Sequence, residues 1–302
     1  MPARGPIDMR LAGLAARRMP FHAAFSDAPI SFSRYRDGLW HHRPAMNSPA
    51  VPKHAIEVSE EAGVRYLHFG TDWIQGAMRI ARPWSLELDY TREMMAALLL
   101  RPGEEWPANV LTIGLGAGSL TKFLYRHRPA AKLDVVEINP EVVAVARHAF
   151  RVPDDDGRLT VHRADGAAFV KCGRTRYDCI LVDGFDHRAR AGALAGEAFY
   201  RDCRKRLSRR GLLVANMFGR SRSYDAQFAQ LATAFAGRAI AFPSGDHGNV
   251  IAFAATGEPV SADWASLRAE ADALHRATGL RLQPTIVRLQ HAGAFEGPGI
   301  AL

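Results

Sequence analysis

The stretch Val110-Leu111-Thr112-Ile113-Gly114-Leu115-Gly116-Ala117-Gly118-Ser119 decides the fold. Its first four residues read as a buried strand. The alternating glycines beyond them let the backbone turn sharply and approach a ligand without side-chain interference. Ser119 to Arg126 then reads as a helix. Outward from this turn the same unit repeats. Leu133 to Ile138 is a second strand, followed by a helix from Pro140 to about Phe150, where a first-turn proline gives up only an N–H that has no helical partner. Leu159 to His162 is a third strand. Cys179 to Val182 is a fourth, apolar throughout, as suits a parallel strand covered on both faces. A helix from Glu197 to Leu207, ending near Gly211, leads to a fifth strand, Leu212 to Asn216, and Val250 to Ala254 reads as a late strand beside it. Such alternation predicts an α/β doubly wound sheet with ligands at the carboxyl ends of its strands.

Upstream the rhythm differs. Ile30 to Ser33, Ala55 to Ser59 and Val64 to Phe69 alternate apolar and polar residues between glycines and prolines, which predicts a small antiparallel sheet. Tyr90 to Leu100 reads as a helix stopped by Arg101-Pro102-Gly103. The expected organisation is a flexible segment over 1–29, a small β domain over 30–85, the main domain over 86–257, and a C-terminal helix (Ala262 to Ala277) with a tail over 258–302.

Composition sets outer limits. The chain has 302 residues, 48% of them hydrophobic and 23% charged, as in ordinary globular proteins. No apolar run approaches the ~20 residues of a membrane helix, and Leu11 to Ala16 is too short for a secretory signal. Three cysteines, Cys172, Cys179 and Cys203, build neither a disulfide framework nor a zinc site, and a cytoplasmic location is expected. No metal site is expected from the scattered histidines. The net charge of +8 is spread out, densest over Arg201 to Arg210 on an expected surface helix, so nucleic acid is not the expected partner. The excess of positive charge weighs against a cationic substrate. Trp73, Trp84 and Trp106 read as packing and lid residues.

Three features in order, each at a strand end, point to a nucleoside. After the glycine turn comes Glu137, about 20 residues on, placed to accept hydrogen bonds from ribose hydroxyls. Asp165-Gly166 follows the third strand, where an Asp can take an adenine amino hydrogen. A dinucleotide fingerprint needs a third glycine at position 119, and this chain has Ser119 there. G-x-G-x-G is the methyltransferase-like variant, which favours S-adenosylmethionine or a relative over a nicotinamide dinucleotide and makes the sheet Rossmann-like and methyltransferase-type. The fourth strand ends in Asp183-Gly184-Phe185-Asp186. Two carboxylates there can hold an amine and deprotonate it for attack on a sulfonium carbon.

The run Val110 to Ser119, Val136-Glu137-Ile138-Asn139-Pro140, Asp165-Gly166, Asp183 to Asp186, Phe199-Tyr200 and Phe242-Pro243-Ser244-Gly245 resembles the spermidine synthase (polyamine aminopropyltransferase) family. Ile74-Gln75 is similar to the family segment whose glutamine touches the donor. The resemblance covers roughly residues 60 to 255. It implies a small N-terminal sheet before the main domain and transfer of an aminopropyl group from decarboxylated S-adenosylmethionine to putrescine. It also implies a homodimer and no tightly bound cofactor, the adenosyl sulfonium compound being a co-substrate. By position, Gln75, Gly114, Gly116, Gly118, Glu137, Ile138, Asp165 and Gly166 would hold the nucleoside, with Asp183 and Asp186 catalytic.

The departures cluster at the polyamine end. Ala117 stands where the family carries an Asp, Arg92 where it carries His or Gln, and Phe242 where it carries a Tyr. His187-Arg188-Ala189-Arg190 replaces a proline-rich turn. A small-molecule amine or other acceptor that is not ordinary putrescine is therefore expected, with intact S-adenosylmethionine accepted as donor. Two readings stay open beside this one. One is a plain aminopropyltransferase whose missing contacts come from residues such as Tyr90. The other is a non-catalytic nucleoside-binding protein on the same fold.

Overall fold

The computed structural model describes residues 18–20, 56–70, 73–185, 191–219, 224–245, 248–292 and 298–302. In chain order, β1 (Arg18–Pro20), β2 (Ile56–Glu61), β3 (Val64–Phe69) and β4 (Gly76–Arg79) form an antiparallel sheet in that spatial order. The strand β1 falls inside the stretch expected to be flexible and pairs with β2, Met19 opposite Val58. The expected strand at Ile30 to Ser33 lies outside the described residues.

Two short helices, α1 (Asp89–Met94) and α2 (Ala97–Leu100), replace the single helix expected over Tyr90 to Leu100. Both are almost wholly buried, so packing rather than an amphipathic stripe sets the break between them. The main unit then alternates: β5 (Asn109–Ile113), α3 (Ser119–His127), β6 (Lys132–Glu137), α4 (Pro140–Phe150), β7 (Leu159–Arg163), α5 (Gly166–Cys172), β8 (Tyr177–Val182), α6 (Glu197–Arg206), β9 (Leu207–Phe218), α7 (Tyr224–Ala234), β10 (Ala239–Pro243) and β11 (Asn249–Ala255). The seven strands lie in the order β10-β11-β9-β8-β5-β6-β7. Five are parallel, while β10 and β11 close one edge antiparallel.

Alternate residues along each strand feed opposite faces. Val110, Cys179, Leu181, Leu212 and Val214 join α3 and α2 in one core. Leu111, Ile113, Ile180, Val182 and Leu213 meet α5, α6 and α7 in the other. A third cluster, with Leu67, Met78, Ala117, Val142 and Phe150, fastens the small sheet to α4 and the glycine turn. The chain closes with β12 (Ser261–Asp263), α8 (Trp264–Thr278), α9 (Gln283–His291) and β13 (Gly299–Ala301).

Two expectations need correction here. Gly211 does not end a helix: α6 stops at Arg206, and Gly211 lies inside the long strand β9. The basic stretch is not wholly a surface face either. Arg206 is buried, donating to the carbonyls of Thr175, Phe169 and Val170.

Candidate active site

A cavity of about 300 Å³ opens at the carboxyl ends of β5, β6, β8 and β9, beside the point where strand order reverses between β5 and β8. Doubly wound sheets place ligands there because the connections on either side diverge and leave a crevice.

The glycine turn makes one rim. Gly114 has φ +93°, and a Cβ on it would collide with the backbone of Asp183, so this glycine lets β5 and β8 end side by side. Gly116 faces the cavity. Gly118 does not reach it: as the left-handed N-cap of α3 it faces Val152, so its service is to packing. Gly166 lines the cavity and packs against Ile113, and Gln75 lines it from the loop between β3 and β4.

Glu137 ends β6, and its carboxylate is already engaged. One oxygen accepts from Leu115 N–H at 3.0 Å, the other from Asn139 N–H at 2.9 Å. Burial raises its pKa, against the pull of these backbone N–H groups. It therefore fixes the glycine turn as well as presenting its remaining lone pairs to the cavity. Ile138, half exposed, lines the same wall. Asp165 caps α5 through Oδ1, which accepts from Ala168 N–H at 2.8 Å, and it also borders the cavity.

Asp183 sits where β8 ends. Its Oδ1 accepts from Asn216 Nδ2 at 3.0 Å and its Oδ2 from the Tyr90 hydroxyl at 3.2 Å. Burial raises its pKa, and the two hydrogen bonds partly offset that rise. A carboxylate held in place, open to a cavity and made more basic by its surroundings suits a general base. Asn216 was not singled out from sequence. The signal is a polar residue inside the otherwise apolar run Leu212 to Phe218. Asp186, the other expected catalytic carboxylate, and His187 lie outside the described residues.

The described lining holds Glu137, Asp165 and Asp183 and no lysine or arginine. The net positive charge of the chain is thus not expressed in the described part of the cavity. Beneath the turn a second void of about 30 Å³, room for a single water, touches Ala117, Thr121, Tyr90 and Asp183.

Two of the three local departures change meaning. Arg92 donates to the carboxylate of Asp89 and to the carbonyls of Leu86 and Glu87, and it does not line the cavity. Phe242 is fully buried, stacked on Phe253 at 5.8 Å, and does not line the cavity. Ala117 is buried against the small sheet, where Gly76 packs onto it. The three tryptophans divide: Trp106 is buried, Trp84 stacks on Tyr125, and Trp73 lines the cavity, 38% exposed.

The spermine/spermidine synthase domain matches residues 89–228. The polyamine aminopropyltransferase of Chromobacterium violaceum is 39% identical over 248 residues, covering 82% of this chain and 92% of its own. The chain belongs to the spermine/spermidine synthase family. A Neisseria meningitidis polyamine aminopropyltransferase is 35% identical over 80% of this chain and 91% of its own. Among solved structures, a spermidine synthase in complex with the transition state analogue AdoDATO superposes with TM-score 0.63 at 18% identity, covering 83% of this chain and 84% of its own, a likeness of fold. Human methyltransferase-like protein 13 in complex with SAH gives TM-score 0.57 at 26% identity, covering 63% of this chain and 92% of its own.

Proposed function

We propose that this family member transfers an aminopropyl group from decarboxylated S-adenosylmethionine to the nitrogen of a small amine. The observation that carries the reading is the Asp183 carboxylate, held by Tyr90 and Asn216 and opening into a cavity with acidic groups and no described cation. In the transfer, the acceptor nitrogen bonds to the methylene carbon next to the sulfonium sulfur. The C–S bond breaks, its electron pair stays on sulfur, and methylthioadenosine leaves. Asp183 takes the proton from nitrogen. Gln75, Gly114, Gly116, Glu137, Ile138, Asp165 and Gly166 hold the adenosyl part. When bound, the donor supplies the electrophilic carbon, and the protein supplies position and the base.

An intact S-adenosylmethionine is the second reading. It draws on the methyltransferase relative solved with SAH. Among the described residues no helix is long and apolar enough to cross a membrane. A cytoplasmic homodimer follows from the resemblance, and sedimentation of the full chain reads its oligomeric state. The deciding experiment incubates the protein with each donor and a panel of amines and measures methylthioadenosine or S-adenosylhomocysteine released. Methylthioadenosine formation that depends on an amine supports the proposal. Release of S-adenosylhomocysteine alone replaces it with methyl transfer. Calorimetry adds a binding arm: Glu137→Gln weakens methylthioadenosine by about 1–3 kcal/mol, since a buried partner loses its hydrogen bond.

A further inference from the structure

The mouth of the cavity is aromatic. Trp73 and Phe218 meet edge-on there, ring centroids 5.5 Å apart at 69°, and Phe69, Ile74, Phe185 and the polar Asn249, which is paired with Phe218 from β11, also line the cavity. Among the described residues only three large apolar side chains are exposed, Trp73, Ile138 and Val287, and two of them line this cavity. Ile138 stands on the nucleoside wall beside Glu137, so at this end of the cavity the exposed apolar surface is that of Trp73 against Phe218, a place suited to an apolar group.

The strand geometry says what reaches that surface. Asn216 and Phe218 are two apart on β9, so they share a face. Asn216 touches Asp183, and Phe218 stands one pleat repeat farther out, about 6–7 Å along the strand. An amine with its nitrogen at Asp183 therefore lays its body across Phe218 and Trp73. An ammonium seated there would gain a cation–π contact but give up part of its hydration. An alkyl or aryl body instead removes both its own surface and the rings from water.

We infer that Trp73 and Phe218 select the acceptor, and that it is a monoamine with an uncharged apolar body of about four to six carbons or an arylalkyl group. The inference rests on the transfer reading for its chemistry but not for its binding.

The test measures both. Hexylamine, phenethylamine and putrescine are titrated into the protein saturated with methylthioadenosine, and each is then supplied with decarboxylated S-adenosylmethionine while methylthioadenosine release is followed. The expected result is that the apolar monoamines bind at least 10-fold tighter than putrescine and have the higher kcat/KM. Phe218→Ala and Trp73→Ala reduce that preference at least 10-fold, while methylthioadenosine affinity stays within twofold. Tight monoamine binding that depends on these rings, without turnover, upholds the inference and sinks the transfer reading. Turnover that prefers putrescine and is indifferent to both substitutions does the reverse.

Discussion

Removing the Tyr90 hydroxyl tests whether Asp183 is the base. That hydroxyl donates to Asp183 Oδ2 at 3.2 Å, and Asn216 donates to Oδ1 at 3.0 Å. Burial raises the pKa of Asp183 and these bonds restrain the rise, so removing one raises it further. A hydrogen bond to a charged group contributes about 1.5–3 kcal/mol. One pKa unit corresponds to about 1.4 kcal/mol, and the 3.2 Å length favours the low end, which gives a rise of about one unit. Only the carboxylate form accepts the proton, so activity falls as pH drops through the Asp183 pKa. In Tyr90→Phe the acid limb of the kcat/KM profile should move to higher pH by about one unit, with little change on the plateau. Asp183→Asn should abolish the limb and lower kcat by ~10²–10⁴. The assay is methylthioadenosine release from pH 5 to 9 with one amine at fixed concentration. An acid limb that stays in place in Tyr90→Phe, together with an Asp183→Asn variant of near-normal rate, would refute the assignment.

Lys122 is buried between α3 and α4, its ammonium donating to Phe150 O at 2.7 Å, and burial lowers its pKa to about 7. The unfolded chain holds that proton up to about pH 10.4, so stability should climb between pH 7 and 10. Unfolding free energies from urea titrations at pH 7 and 9 should differ by about 2 kcal/mol in the parent and by much less in Lys122→Met. Glu93 is buried, pairs with Arg288 on α9 and accepts from Gly245 N–H at 2.9 Å. Arg288→Met should cost about 2–4 kcal/mol by stranding that carboxylate, and adding Glu93→Gln should recover part of the loss in the same denaturation experiment. Ala117→Asp, which restores the family's residue, should lower Tm and leave putrescine use unimproved, because position 117 is packed against Gly76 and the Met78 cluster. A clear gain in putrescine turnover would show the position facing substrate.

Much of this fold was legible because period and punctuation agree. Val110 to Ile113, Thr112 apart, and Cys179 to Val182 are apolar on both faces because both are covered, and each ends at a glycine or aspartate that the cavity uses. What escaped was whatever depends on long-range packing. The strand β10 is short and lies at the sheet edge, and its Phe242 carries a family position into the core rather than to the site. Arg92 reads as a stray cation until Asp89, three residues earlier on the same helix, is seen to hold it. Local spacing assigned Glu137 to a ligand, but only the fold shows that its carboxylate first holds the turn that ligand would meet.

These corrections shift where acceptor choice is decided. Charge would place it at Ala117, Arg92 and Phe242, all defined by absence or by sign, and at His187 to Arg190, which lie outside the described residues. Arg92 and Phe242 do not line the cavity, and Ala117 borders only the small void beneath the turn. On the β9 side of Asp183 the described lining includes Phe218, its neighbour Asn249 and Trp73, which carry no charge. Discrimination by such a wall is graded, since each methylene laid on it contributes about 0.8 kcal/mol when fully buried. A site of this kind separates amines by length and apolar area rather than by counting their charges. The slope of log(kcat/KM) against chain length in a series of linear monoamines therefore reads the wall directly. A rise of about three- to fourfold per methylene up to the reach of Phe218, then a plateau, is the signature expected. A flat series would return the choice to charge.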